Sequence, residues 1–278
     1  MAKWSPSNTT TYYWANGSQV QQNKGAPSIW TDQSGNGRVM QRPSQAAAPS
    51  LLTADLNGHD VLEFDGSNDC FESDDNTEFK FESSDFAVFC VHQRTGSGSG
   101  PNQGVYNVGN PAFTDGFCAV YTLAPGIFDG FFLTATSTFV QDEVNTTSVF
   151  CTAIIDNSTG NCFGRVDGAT VGNTSTPDAS YDAASKFTIG ATSSGQNHLD
   201  GKIAELIVIE AALSDREIEQ FEGYFLHKYD LSKFPTDHRF RRFTPAVGLH
   251  GVHNQDLLGE LALDVSGPLV SDTLAGAV

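Results

Sequence analysis

The chain has 278 residues, room for one large all-β domain with an appendage rather than two equal domains. Hydrophobic residues make up 39% of it and phenylalanine occurs 20 times, which supplies a buried core and excludes global disorder. A formal charge of −18 repels phosphate backbones and excludes nucleic acid as a partner, and no apolar run reaches the length of a membrane span.

The opening Met1-Ala2-Lys3-Trp4-Ser5-Pro6 has no apolar signal core, so synthesis in the cytoplasm without general secretion is expected. Five cysteines (Cys70, Cys90, Cys118, Cys151, Cys162) form no CxxC or CxH cluster, and several lie in apolar runs. They are expected to be core thiols made in a reducing compartment.

Residues 14–49 are dense in Gly, Asn, Ser, Gln and Pro, which predicts loops with short edge strands and places regular structure after them. A short strand is expected over 61–64, closed by the Asp65-Gly66 turn, and a second over 86–91. The stretch 96–102 is too rich in Gly and Ser for a strand; no GK[ST] follows, so it is an exposed loop rather than a phosphate cradle. Further short runs at 117–121, 130–133, 148–155, 162–166 and 187–189 are punctuated by Pro125-Gly126, Asp129-Gly130 and Asp167-Gly168. Many short strands at such spacing predict a sandwich or barrel.

The run 203–209 is apolar on both faces apart from Glu205, as suits a strand covered on both sides, with Glu205 accepting hydrogen bonds at the sheet's end. A helix is expected over 214–228. Ser214 and Glu217 form a capping box, Leu213 and Ile218 a hydrophobic staple, and Ile218, Phe221 and Phe225 an apolar face. The last segment carries Leu257, Leu258, Leu261, Leu263, Val265, Leu269 and Val270 with too little aromatic mass for its own core. The division expected is a sandwich over 1–245 and an extended assembly arm over 246–278 that a neighbouring surface covers.

Three segments in order resemble the laminin-G-like, concanavalin-A-like jelly-roll modules of tailed-phage virion proteins and modular bacterial surface proteins. The first joins Trp30, Asp32, Gly35, Asn36 and Gly37 to Gln41, Pro43 and Leu56-Asn57-Gly58. The second is Val61-Leu62-Glu63-Phe64-Asp65-Gly66-Ser67-Asn68-Asp69. The third runs from Leu199-Asp200-Gly201 through Ile203 and the helix to Tyr229-Asp230-Leu231, closing on Pro235, Asp237 and His238. Together they span about residues 14–245. The resemblance implies a mostly β, two-sheet antiparallel jelly-roll sandwich with one packed helix near its C-terminal end.

Glycosidases on this type of sandwich need two carboxylates about 5–5.5 Å apart. Here Glu63-Phe64-Asp65-Gly66-Ser67 leads to Asn68, an amide that cannot shuttle a proton, so no enzyme is expected. No Gly-x-Ser-x-Gly, His-Glu-x-x-His or Walker motif supports another reaction. His250 and His253 lack a third metal ligand. The turn residues Asp32, Asn36, Asp65, Asn68, Asp69 and Asp200 are candidates to hold Ca²⁺ through oxygen, beside their structural role as turn formers. The function implied is a non-enzymatic structural protein of a tailed-phage virion, as capsid decoration, tail component or fibre head. Its partners would be copies of itself, other virion proteins and a surface glycan met by its loops. The alternative is a bacterial surface carbohydrate-binding module.

Overall fold

The computed structural model describes residues 10–245 apart from 17–19, 24–25, 35, 75–76, 78, 82–83, 97–101, 110–115, 123–127, 134–136, 140–148, 158–160, 175–180, 182–184, 194 and 243. In chain order the strands are β1 (Thr10–Asn16), β2 (Val20–Asn23), β3 (Ala26–Thr31), β4 (Val39–Gln41), β5 (Ser50–Leu56), β6 (His59–Asp65), β7 (Phe71–Ser73), β8 (Phe86–Arg94) and β9 (Asn102–Val108). They continue with β10 (Phe117–Thr122), β11 (Phe128–Leu133), β12 (Ser137–Phe139), β13 (Val149–Asn157), β14 (Asn161–Val166), β15 (Ala169–Thr174), β16 (Phe187–Ile189) and β17 (Asp200–Glu210), before helix α1 (Asp215–Tyr229).

Two antiparallel sheets result. One has the order β15-β14-β13-β8-β17-β6-β5, and the other β12-β11-β10-β9-β16-β7-β4-β3-β2. The central strands of the first sheet are buried on both faces, and alternation sorts their side chains. Phe86, Val88 and Cys90 of β8 join Leu206 and Val208 of β17 in the core between the sheets, with Trp30, Phe71, Tyr106, Phe117 and Phe187 from the other sheet. Ala87, Phe89 and Val91 of β8 face outward with Ile207 and Ile209 and meet Ile218, Phe221 and Phe225 of α1. The helix thus serves as a third layer over half of one sheet.

That layer begins as the sequence predicts. Ser214 Oγ accepts from the Glu217 amide, and Glu217 Oε2 accepts from the Ser214 amide at 2.8 Å. The helix ends on Asp230 in the left-handed region, and the side-chain amide of Asn57 in the β5–β6 turn donates to the Lys228 carbonyl at 2.8 Å. The segment after the helix folds back on it: His238 donates to Glu222, His227 donates to the Phe240 carbonyl, and Arg239 pairs with Glu219.

Two expectations are corrected. Residues 10–16, which run into the stretch from residue 14 expected to form loops and short edge strands, are a full strand that pairs with Glu205–Glu210, end to end with β6 along the same edge of β17. Glu205 does not lie at the end of the sheet. The register of β17 against β8 passes from Ile203↔His92 to Glu205↔Val91, so Ala204 is an extra, bulged residue. The bulge turns Ala204 and Glu205 to the same side, beneath the helix. There Glu205, fully buried, accepts from Tyr224 at 3.0 Å, Tyr229 at 2.7 Å and Lys228 at 2.7 Å. Cys70, Cys90 and Cys118 are free and buried, as expected, while the side chains of Cys151 and Cys162 and the arm at 246–278 lie outside the described residues.

Candidate functional site

At one end of the sandwich the tip of β6, the start of β17 and the exit of β8 converge. Asp65 and Asp200 are direct cross-strand partners there. The Asp200 carbonyl accepts from the amides of Thr95 at 2.9 Å and Gly96 at 3.2 Å, and its own amide donates to Gln103 Oε1 at 2.9 Å. The Gly96 carbonyl in turn accepts from Arg94 Nε at 2.8 Å and Gln103 Nε2 at 3.1 Å. A Cβ at Gly96 would stand 1.9 Å from an Asp200 carboxylate oxygen, so only glycine lets this carboxylate lie against the loop base.

The Asp65 carboxylate accepts from the amides of Ser67 and Asn68, closing the turn, and Asp69 Oδ2 accepts from the Asp65 amide at 2.9 Å. Burial is the first cause that pushes the Asp69 carboxyl up to about 6; the charge of Asp65 adds to it and the Asp65 amide opposes it. His198, also buried, meets the Asp69 carbonyl at 3.3 Å. Deeper in, His92 Nδ1 lies 2.6 Å from the Tyr121 hydroxyl, and burial lowers the imidazole to about 3. The Arg94 guanidinium stands 5.9 Å from the centre of the Tyr121 ring.

The structure therefore brings Asp65, Asn68, Asp69 and Asp200 to one rim. It does not bring Asp32 there. Thr31 pairs with Val39 and Met40 with Ser73, so the Asp32 turn stands at the far end of β7 from Asp69. Its carboxylate is held by the amide and hydroxyl of Ser34, and Asn36 in the same turn donates to the Ser34 hydroxyl. At the rim one oxygen each of Asp65 (Oδ1) and Asp69 (Oδ2) accepts from main-chain amides. Among the described residues no group of three or more His, Cys, Asp or Glu side chains is placed to hold a metal.

A second concavity escapes sequence reasoning. It lies on the first sheet, lined by Leu56, Val61, Val91, His92, Gln93 and Ala204. Its volume is about 210 Å³, open solvent at its surface included. Lys202 and Asp55, which also line it, form an ion pair at 2.9 Å. The bulge that exposes Ala204 to this slot leaves no pattern in the sequence.

Among the described residues no helix is long and apolar enough to cross a membrane. No family model matches the sequence, and no curated protein sequence matches it. Solved structures do match. Trypanosoma rangeli sialidase aligns with a TM-score of 0.54 and 12% identity over 77% of this chain and 32% of its own. The same sialidase in complex with sialic acid gives 0.57 and 12% over 82% and 34%. The binding domain of Paraclostridial Mosquitocidal Protein 1 gives 0.54 and 12% over 78% and 52%. This chain thus spans about a third of the sialidase chains it matches. At such identity the likeness is one of fold, and it places the chain among two-sheet β-sandwiches.

Proposed function

We propose that this protein is a non-catalytic, sugar-binding sandwich that acts as a structural part of a larger assembly, a tailed-phage virion being the setting its motifs imply. The observation that carries the reading is the shared fold with a sialidase solved with sialic acid and with a toxin's binding domain. Two features support binding without chemistry. Asn68 stands where the second carboxylate of a retaining pair would be needed, and the Asp69 carboxylate is buried against the Asp65 amide. The rim instead presents fixed carboxylates, amides and hydroxyls on rigid strand ends, the groups that orient a polyhydroxylated ligand.

The test has two parts. The full chain, labelled and applied to a glycan array, should retain defined sugars without releasing reducing ends from them. Mass spectrometry of purified particles should find it at a fixed copy number. Binding without presence in particles moves the chain to the surface-module alternative, and turnover of any array glycan overturns the non-catalytic reading.

A further inference from the structure

We propose that the basic segment that folds back after the helix receives the acidic arm of a second copy of this chain, an assignment that rests on the assembly role proposed above. Charge sorts the two surfaces. Residues 232–245 hold Lys233, Arg239, Arg241 and Arg242 against Asp237, a net charge of +3 in a chain whose total is −18. Residues 246–278 hold Asp256, Glu260, Asp264 and Asp272 and no lysine or arginine, a net charge of −4. An acidic arm is repelled by the field of the chain as a whole and attracted to this cationic stretch.

The fold fixes the receiving segment in place. Arg241 donates to the carbonyls of Phe234 and Ser232, which carries its guanidinium back beside Lys233. Two turns hold that shape, the His238 amide donating to the Pro235 carbonyl at 3.1 Å and the Arg241 amide to the His238 carbonyl at 3.0 Å. Lys233, Arg239 and Arg242 are exposed, so an approaching carboxylate reaches them without uncovering a buried charge, and Arg239 keeps its pair with Glu219. On the arm, Asp256, Glu260 and Asp264 recur at every fourth residue, a spacing that puts them on one side of a strand and of a helix alike. The stretch from Ala246 to Gln255 holds no lysine, arginine or acid and spans up to about 35 Å when extended, enough to cross to a neighbouring copy. It starts from a fixed root: Phe240 and Pro245 seat on Gly223 of the helix, where a Cβ would stand 2.4 Å from Phe240 and 3.2 Å from Pro245. Root and cations thus lie on the same segment. Each copy gives an arm and receives one, which closes the pair with two-fold symmetry.

Size-exclusion chromatography with light scattering on the full chain tests this. The parent chain should self-associate at low salt and come apart as salt rises, because exposed ion pairs are screened. Lys233→Glu with Arg242→Glu turns the receiving segment acidic, and Asp256→Lys with Glu260→Lys and Asp264→Lys turns the arm basic. Each set should weaken self-association by on the order of 100-fold, since it places like charges against each other, while the circular dichroism spectrum stays that of the parent. Mixed in equal amounts, the two variants should associate as the parent does, because each then offers the charge the other lacks. The neutral set Asp256→Asn, Glu260→Gln and Asp264→Asn serves if a reversed chain fails to fold, and it should weaken association in the same direction. If a folded variant assembles as the parent does, if the mixture stays monomeric, or if parent assembly is insensitive to salt, the docking assignment falls and the assembly role stands. If the parent chain is monomeric at low salt, this contact and the role of the arm between copies both fall.

Discussion

Arg165 on β14 grips Glu222 of the helix through two hydrogen bonds, 2.6 Å from Nε and 2.9 Å from its terminal nitrogen. Glu222 is buried and also accepts from His238 at 3.1 Å, so one carboxylate ties the helix, the first sheet and the returning C-terminal segment. Replacing it with alanine leaves a largely buried guanidinium uncompensated. Glu222→Ala should cost about 3–5 kcal/mol in urea unfolding, and the double change Arg165→Met with Glu222→Met should cost clearly less. Equal losses would show that the pair is incidental.

Glu205 holds the C-terminal part of the helix. Burial, then the charge of Glu205 and the hydrogen bond to it, keeps the hydroxyls of Tyr224 and Tyr229 protonated far above the usual phenol range. Ultraviolet titration should show these two tyrosines ionising only as the protein unfolds in alkali. Glu205→Gln should be milder than Glu205→Ala, which removes the carboxylate that accepts from two phenols and leaves the Lys228 ammonium with the Tyr224 hydroxyl.

Asp69 gives stability a falling limb. Its folded pKa, about 6, lies above the unfolded value, so the folded state binds more protons between about pH 4 and 6 and loses stability as pH rises through that window. Unfolding free energies from denaturant titrations across it should drop by about 3 kcal/mol in this contribution. Asp69→Asn keeps an oxygen for the Asp65 amide and should flatten the slope.

His92 acts with the opposite sign. Its folded pKa, about 3, lies below the unfolded value, so the unfolded chain binds the extra proton and stability falls as pH drops below about 6.5. His92→Gln retains a hydrogen bond for Tyr121 and should shift acid unfolding to lower pH. An unchanged acid midpoint would show that protonation of His92 does not drive acid unfolding.

The arm is tested by deletion. Removing residues 246–278 should leave the sandwich folded, with parental circular dichroism, and should abolish oligomers on size-exclusion chromatography. Failure of the shortened chain to fold would assign the arm to the domain's own core. Undiminished assembly would leave it without a role in contact.

Much of the fold is legible in the sequence. The capping box at Ser214, the Asp65-Gly66 turn and the doubly covered run 203–209 each state their structure through local chemistry. Strands whose polar groups are satisfied from a distance stay hidden. β9 carries Asn102, Gln103 and Asn107 in seven residues and does not read as a strand. Asn107 is nevertheless buried, because its amide donates to the carbonyls of Gly109 at 2.9 Å and Thr192 at 2.8 Å, the latter 85 residues away. For the same reason the sequence groups Asp32 with the rim aspartates. All are turn residues, and only strand register reveals that β7 separates them.

The extra residue at Ala204 bears on how such a chain changes over generations. Because Ile203 pairs with His92 and Glu205 with Val91, loss of the single codon for Ala204 would leave both halves of β17 in phase with β8 and every neighbouring side chain on its present face. It would remove one residue that lines the slot while keeping the pairing register with β8. The slot and the register of the sheet are therefore separable by one in-frame step.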